Sequence, residues 1–184
     1  MSKNTWNTLK PTSAQIRDAH EQWIVQASLL ATHALTLTFD GGKIKDYLEN
    51  SPSIHAANDP RMIEKYKKSM HWFRIELSKR LYGRRNTGRR EKLLLIPVLE
   101  GLHSGKNPHY HCLLGVSATR FDDIRDIVLN CWDRAYFSGK HNTVDSIYDQ
   151  GFSRYSSKDA SSLDRDSVDW MNVSLPVWSR PTAE

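Results

Sequence analysis

The chain has 184 residues, of which 39% are hydrophobic and 26% are charged, and its formal net charge at pH 7 is +5. These values predict one soluble globular domain spanning residues 1–184, large enough to bury a core. No apolar run approaches the roughly 20 residues that cross a bilayer. The N-terminal residues lack the apolar stretch of a secretory signal, so we expect neither a membrane protein nor a secreted one.

The first half of the chain predicts two helices around one strand. Apolar residues at helical spacing after a Thr-Ser cap predict a helix over residues 14–31. Apolar residues that alternate with threonine predict a half-buried strand over residues 33–39. Residues 41–60 are polar and are predicted as a loop with one short helical turn. Residues 61–83 are the strongest predicted helix, since they combine one apolar stripe with a basic opposite face and end at a glycine. The apolar stripe consists of Met62, Tyr66, Met70, Phe73, Leu77 and Leu81.

The second half of the chain predicts a β-hairpin followed by a helix and short strands. Residues 92–100 and 109–116 are apolar runs of strand length, and a Gly-rich loop joins them. Apolar residues at helical spacing predict a helix over residues 121–136. Short strands are predicted at residues 143–147 and 173–175.

This order of elements predicts an α+β fold, with a central antiparallel sheet and helices packed mainly on one face. The other face of the sheet would be left open and would carry His109 and His111. Cys112 and Cys131 lie in apolar surroundings without CxxC spacing, which predicts two reduced core thiols, as in a cytosolic protein.

Positive charge is concentrated between residues 61 and 92, which contain 12 Lys or Arg and 3 Asp or Glu. The rest of the chain has 14 basic and 18 acidic residues. Such a block favours a polyanionic partner, nucleic acid first, although a solvated helix face followed by a basic loop would have the same composition. The candidate phosphate-contacting residues are Lys67, Lys68, Arg84, Arg85, Arg89 and Arg90.

The segment Pro108–Leu114 has two histidines at alternate positions of an apolar run. In a strand, His109 and His111 would point to the same face. Glu100 ends the preceding strand, so an antiparallel hairpin would place its carboxylate beside both imidazoles. Two imidazoles and one carboxylate can hold a divalent cation and leave coordination positions open, which suits a catalytic ion. These ligands accommodate Mn²⁺, Zn²⁺ or Ni²⁺ well and Mg²⁺ less ideally. The alternative is that the histidines are ordinary strand residues.

A candidate nucleophile follows in the Ser-rich stretch 151–162, which is ambiguous between a loop and a short helix. Tyr155 and Lys158 are three residues apart and would share a face of a helix. A phenol can attack a phosphodiester that is polarised by a cation once its proton is removed. Lys158 would supply positive charge for the transition state. Tyr148 is the alternative nucleophile, and the alternative interpretation of Tyr155 is an ordinary amphipathic surface residue.

The motifs, in their order along the chain, resemble the HUH endonuclease superfamily. They are the Thr-rich strand Leu35–Phe39, then Glu100, then His109-Tyr110-His111, and finally Tyr155 with Lys158. Within the superfamily they are most similar to single-tyrosine rolling-circle replication initiators of plasmids, single-stranded DNA phages and related mobile elements. The His-hydrophobic-His element is the most specific part of the resemblance, which spans residues 35–158.

The resemblance implies a single HUH domain with a ferredoxin- or RRM-like sheet. Its core would span about residues 33–162, with an N-terminal helix and an irregular C-terminal tail appended. By likeness, His109, His111 and Glu100 would bind a divalent cation, most simply Mn²⁺ or Mg²⁺. Tyr155 would cleave single-stranded DNA, forming a 5′-phosphotyrosine link and a free 3′-OH that primes replication.

The resemblance also implies partners and a location. The substrate would be a single-stranded origin with a hairpin, in the cytoplasm of a bacterial host. No P-loop helicase motif follows the tyrosine, so a host helicase and polymerase would complete replication. Two other functions are compatible with the same residues, namely a single-tyrosine transposase of this superfamily and a non-catalytic nucleic-acid-binding module.

Overall fold

The computed structural model describes ten separate parts of the chain, and four strands and three helices are defined within them. The described residues are 12, 18–19, 22–23, 25–27, 29–54, 56–84, 92–102, 107–116, 123–147 and 168–176. In chain order the elements are β1 (His33–Thr38), α1 (Gly41–Glu49), α2 (Pro60–Tyr82), β2 (Leu94–Glu100), β3 (His109–Gly115), α3 (Ile124–Asp133) and β4 (Thr143–Ser146). Helical backbone also occurs at residues 18–19, 22–23 and 25–27, inside the helix predicted over residues 14–31.

The four strands form one antiparallel sheet in the order β2-β3-β1-β4. The predicted α+β fold with a central antiparallel sheet is therefore confirmed. Within the described residues, every helix is too short or too polar to cross a membrane.

One face of the sheet, called here the helix face, packs against α2 and α3. Its strand residues include Leu35, Leu37 and Tyr110, and they form one buried cluster with the apolar stripe of α2. Each fully buried aliphatic side chain in such a cluster contributes on the order of 1.5–3 kcal/mol relative to exposure. The predicted stripe is thus the main link between the long helix and the sheet.

The bounds of α2 follow from its capping residues. Asp59 precedes the helix and its side chain accepts a hydrogen bond from the Arg61 backbone N–H, which satisfies one of the free donors of the first turn. Pro60 occupies the first turn, where no backbone donor is needed. Gly83 follows the last residue with a φ of 85°, a conformation that favours glycine. The helix predicted over residues 61–83 is confirmed to within one residue at each end.

The helix α1 is longer than the single turn predicted within residues 41–60. Asp40 caps it, because its side chain accepts hydrogen bonds from the backbone N–H groups of Gly42 and Lys43. Ile44 is the buried residue of this helix and joins the helix-face cluster. Gly41 and Gly42 lie in the first turn of this capped helix.

The other face, called here the histidine face, is covered at one end. Leu94, Ile96 and Leu113 form a second buried cluster there with Ala27 and Val168. The expectation of a fully open second face is therefore wrong for this end of the sheet. The helical segment before β1 and a segment after β4 supply the covering residues.

The segment 168–176 lies along the outer edge of β2. Leu95 and Ser174 exchange two backbone hydrogen bonds of 2.9 Å, and Asp169 donates its backbone N–H to the Pro97 carbonyl at 2.9 Å. This segment includes the strand predicted at residues 173–175, although only isolated bridges form. Pairing of this kind satisfies backbone groups that an edge strand would otherwise leave exposed.

The two cysteines are buried free thiols, as predicted. Cys112 lies on the helix face and Cys131 on α3, and both belong to the helix-face cluster. Burial raises the pKa of both thiols, so neither is a reactive thiolate.

Candidate metal centre

Three side chains converge at the uncovered end of the histidine face. In the β2–β3 ladder Glu100 lies directly opposite His109, and Val98 lies opposite His111. Glu100 Oε2 is 3.8 Å from Nε2 of His109 and 3.7 Å from Nε2 of His111. One ligand atom from each of the three lies within 4.8 Å of the others, so the group could hold a metal ion. The predicted hairpin register is confirmed.

The spacing of these atoms is close to that of ligands around one ion. Two ligand atoms bound tetrahedrally at about 2.1 Å from a metal are about 3.4 Å apart. The two distances to Glu100 exceed this value by a few tenths of an ångström, and the three ligand atoms all lie within 4.8 Å of one another. The exposed fractions of the side chains are 19% for His109, 27% for Glu100 and 46% for His111. A substrate could therefore approach from the side of His111.

A backbone carbonyl holds the ring of His109. Its Nδ1 lies 2.9 Å from the carbonyl oxygen of Asn107. A carbonyl can only accept, so Nδ1 is the donor, and Nε2, which faces Glu100, is the nitrogen through which this ring would bind a metal. A second partner of this type fixes the tautomer of a metal-binding histidine and increases its basicity.

Gly101 allows the Asn107 carbonyl to occupy this position. Its φ is 87°, and a Cβ atom there would lie 2.5 Å from the Asn107 oxygen and 3.2 Å from His109 Nδ1. Any side chain at this position would displace the acceptor that orients His109. The sequence showed a Gly-rich loop but gave no sign that one glycine packs against the site.

A side chain from β1 holds the ring of His111. Thr36 is the residue opposite His111 in the β1–β3 ladder, and its Oγ1 lies 3.2 Å from His111 Nδ1. Nε2 of His111 therefore faces Glu100, as Nε2 of His109 does. The Thr-rich strand was part of the sequence pattern, but the contact between Thr36 and His111 was not predicted.

Tyr110, between the two histidines, points into the helix face. It is fully buried, and its hydroxyl donates a 2.9 Å hydrogen bond to Asp169 Oδ2. Burial, followed by the nearby Asp169 carboxylate, raises the pKa of this phenol far above its ordinary value. A buried phenol held protonated on the far side of the strand cannot act as a nucleophile at the metal centre.

Asp169 is the centre of a small buried network that anchors the segment 168–176. Asn172 donates to Asp169 Oδ2 at 2.7 Å and to the Lys67 carbonyl at 2.9 Å. Burial raises the pKa of Asp169, and the hydrogen bonds from Asn172 and Tyr110 oppose that shift. This network ties β3, α2 and the edge segment together beneath the candidate metal centre.

Among the predicted phosphate-contacting residues that the structure describes, Lys67 and Lys68 do not lie at the candidate metal centre. Lys67 and Lys68 lie on α2, which packs on the opposite face of the sheet. Lys68 forms a 2.8 Å ion pair with Glu64. Arg84 is exposed just beyond α2. The other predicted site residues lie outside the described residues; these are Arg85, Arg89, Arg90, Tyr148, Tyr155 and Lys158.

Five of the chain's seven tyrosines are described. Four of them belong to the helix-face cluster or pack against it, and the fifth makes an edge-to-face contact with Phe137 of that cluster, with ring centroids 4.4 Å apart. Tyr47, Tyr66, Tyr82 and Tyr110 thus belong to the helix-face core or its margin, whereas Tyr136 is exposed. The five are Tyr47, Tyr66, Tyr82, Tyr110 and Tyr136.

Comparisons of this chain with protein-family models, with curated proteins and with solved structures return no match. The resemblance to HUH endonucleases therefore remains a prediction from the motifs.

Proposed function

We propose that this chain is a metal-dependent, site-specific endonuclease and ligase of single-stranded DNA, of the HUH type. Tyr155 is the proposed nucleophile, and Glu100, His109 and His111 are the proposed ligands of a divalent cation, Mn²⁺ or Mg²⁺. The proposed role is to initiate rolling-circle replication of a plasmid, phage or related mobile element. The observation that carries this proposal is the convergence of two imidazole Nε2 atoms and one carboxylate on an open part of the sheet.

The proposed reaction conserves the phosphodiester. The Tyr155 oxygen forms a bond to phosphorus and loses its proton, while the bond from phosphorus to the 3′ oxygen breaks and that oxygen gains a proton. The products are a 5′-phosphotyrosine and a free 3′-OH. A bound divalent cation would polarise the phosphate oxygen, and Lys158 would offset the negative charge of the transition state. Rejoining is the reverse transfer, which needs no ATP because the covalent link stores the bond energy.

The described residues on either side of residues 148–167 are compatible with Tyr155 reaching the metal centre. Ile147 precedes these residues and is bound through its backbone N–H to Thr32, and Val168 follows them and bridges to Val98. Val98 in turn lies opposite His111. Tyr155 is 13 residues from Val168, and such a length of chain can span up to about 43 Å at 3.3 Å per residue. The connection is long enough to bring Tyr155 to the centre.

The concentration of Lys and Arg between residues 61 and 92 supports a nucleic-acid substrate. Ion pairs with neighbouring carboxylates reduce the positive charge that these residues offer to DNA. Three of the cations in α2, namely Arg61, Lys68 and Lys79, form ion pairs with neighbouring carboxylates. Exposed pairs of this kind are worth only about 0–1 kcal/mol and can be exchanged for phosphate contacts. We therefore expect salt-sensitive binding of single-stranded DNA, with a modest dependence on Lys67 and Lys68.

The test is a search for a covalent protein–DNA product. The protein is incubated with a pool of single-stranded oligonucleotides and Mn²⁺, and the mixture is analysed on a denaturing gel. A protein band shifted by attached DNA is expected, and excess chelator or His109→Ala should abolish it. Tyr155→Phe should also abolish it, whereas the matched variant Tyr148→Phe should retain it.

Other outcomes would assign another function. Binding that weakens with salt but never becomes covalent would indicate a non-catalytic nucleic-acid-binding module. Strand-transfer products joining palindromic element ends would indicate a single-tyrosine transposase. A covalent product that persists in Tyr155→Phe and is lost in Tyr148→Phe would move the nucleophile to Tyr148.

A further inference from the structure

The two histidines of the candidate metal centre are held by partners of different chemistry. His109 Nδ1 lies 2.9 Å from a backbone carbonyl, whereas His111 Nδ1 lies 3.2 Å from the hydroxyl of Thr36. A carbonyl can only accept a hydrogen bond, but a hydroxyl can accept or donate. The tautomer of His109 is therefore fixed by geometry, while that of His111 depends on how the Thr36 hydroxyl is used.

We propose that Thr36 is a positioning residue that accepts a hydrogen bond from Nδ1–H of His111 and so keeps His111 Nε2 available to bind a metal. The opposite arrangement would place the hydrogen on Nε2, which is 3.7 Å from the Glu100 carboxylate. The ring would then have no lone pair to offer at the point where the three ligand atoms meet. The hydroxyl of Thr36 thus completes the site without touching the metal.

The place of Thr36 in the sheet makes it a firm support. It lies on β1, an inner strand, and is paired in register with His111 on one side and with Thr143 of β4 on the other. Its β-branched side chain has few rotamers, so the direction of the hydroxyl is largely set by the backbone. His111 is the most exposed of the three candidate ligands, and hence the one that most needs a fixed partner.

Thr38 provides a matched control on the same strand. It faces the same side of the sheet, opposite His109 in the β1–β3 ladder. Its hydroxyl, however, bonds to Asn142 Oδ1 at 3.2 Å rather than to a histidine. Thr36→Val and Thr38→Val therefore remove the same group from equivalent positions, and only the first removes a contact to a candidate ligand.

The inference rests on the proposed metal centre and is tested with the metal alone. Mn²⁺ affinity is measured by calorimetry for the full chain and three variants. Thr36→Val should weaken binding by about 10- to 100-fold, the usual effect of losing such a partner. Thr36→Ser, which keeps the hydroxyl, should stay close to the wild-type affinity, and so should Thr38→Val.

A spectroscopic readout separates positioning from general damage to the fold. Long-range ¹H–¹⁵N spectra of the metal-free protein report which nitrogen of His111 carries the hydrogen. We expect Nδ1–H in the wild type and in Thr36→Ser, and a shift toward Nε2–H in Thr36→Val.

Wild-type Mn²⁺ affinity in Thr36→Val, or an Nε2–H tautomer in the wild type, would overturn the role of Thr36 while leaving the metal centre intact. An equal loss of affinity in Thr38→Val would also overturn it. Failure of the wild type to bind any divalent ion would overturn the metal centre itself. The three variants could show the expected Mn²⁺ affinities while no covalent DNA product forms. That result would support the positioning role of Thr36 and refute the proposed nuclease activity.

Discussion

Replacing Gly101 by alanine should damage both the fold and the candidate metal centre. The residue has a φ of 87°, and alanine in such a conformation costs about 1–3 kcal/mol. The added Cβ would also lie 2.5 Å from the Asn107 carbonyl oxygen, so the loop must move. Overpacking of this kind typically costs a further 1–3 kcal/mol or so. We therefore expect Gly101→Ala to lower the free energy of unfolding by about 2–6 kcal/mol in total.

Gly83→Ala is the matched control for this prediction. Gly83 has nearly the same φ, 85°, but a Cβ there would meet nothing within 4 Å. This variant should therefore show only the backbone cost of about 1–3 kcal/mol. The difference between the two variants isolates the collision with Asn107, and urea denaturation measures both.

The second consequence of Gly101→Ala concerns the metal. The displaced carbonyl is the partner of His109 Nδ1, so Mn²⁺ affinity should fall by about tenfold or more. Gly83→Ala should bind Mn²⁺ as the wild type does. Equal losses of stability in the two variants, together with unchanged Mn²⁺ affinity in Gly101→Ala, would refute the reasoning.

Two further predictions follow from the site and from the buried network beneath it. Saturating Mn²⁺ at about 100 times its dissociation constant should stabilise the wild type by about 2.7 kcal/mol, and His109→Ala should lose that gain in a thermal melt; an equal gain in both proteins would place the ion elsewhere. Burial raises the pKa of Asp169, so the folded protein retains a proton that the unfolded chain has already released. Stability should therefore fall as pH rises from the ordinary aspartate range through the raised value, and Asp169→Asn should remove that part of the slope; parallel curves for the two proteins would contradict it.

The sequence predicted the features of the candidate site that depend on strand periodicity. The alternate spacing of His109 and His111 placed both on one face, and the short hairpin loop placed Glu100 beside them. These predictions are local, because a strand side chain alternates with a period of two and a hairpin fixes its own register. The apolar stripe of α2 was equally readable from its helical spacing.

The features that the sequence did not predict depend on contacts between residues far apart in the chain or on the capping of a helix. The contact of Thr36 with His111 joins residues 75 positions apart through the β1–β3 register. The helix α1 was underestimated because Gly41 and Gly42 are poor helix formers, while the Asp40 cap that starts the helix was not weighed. The covered end of the histidine face depends on two segments that lie outside the strands in the sequence. Ala27 comes from the segment before β1, and Val168 comes from the segment after β4.

The central claim is tested most directly by identifying the residue that becomes attached to DNA. Wild-type protein is reacted with single-stranded oligonucleotides in Mn²⁺, digested with nuclease and protease, and analysed by tandem mass spectrometry. We expect a nucleotide phosphate on the Tyr155 oxygen, and none when a chelator is present throughout. A nucleotide on any other residue, an adduct that forms equally well in chelator, or no adduct across the oligonucleotide pool would contradict the account.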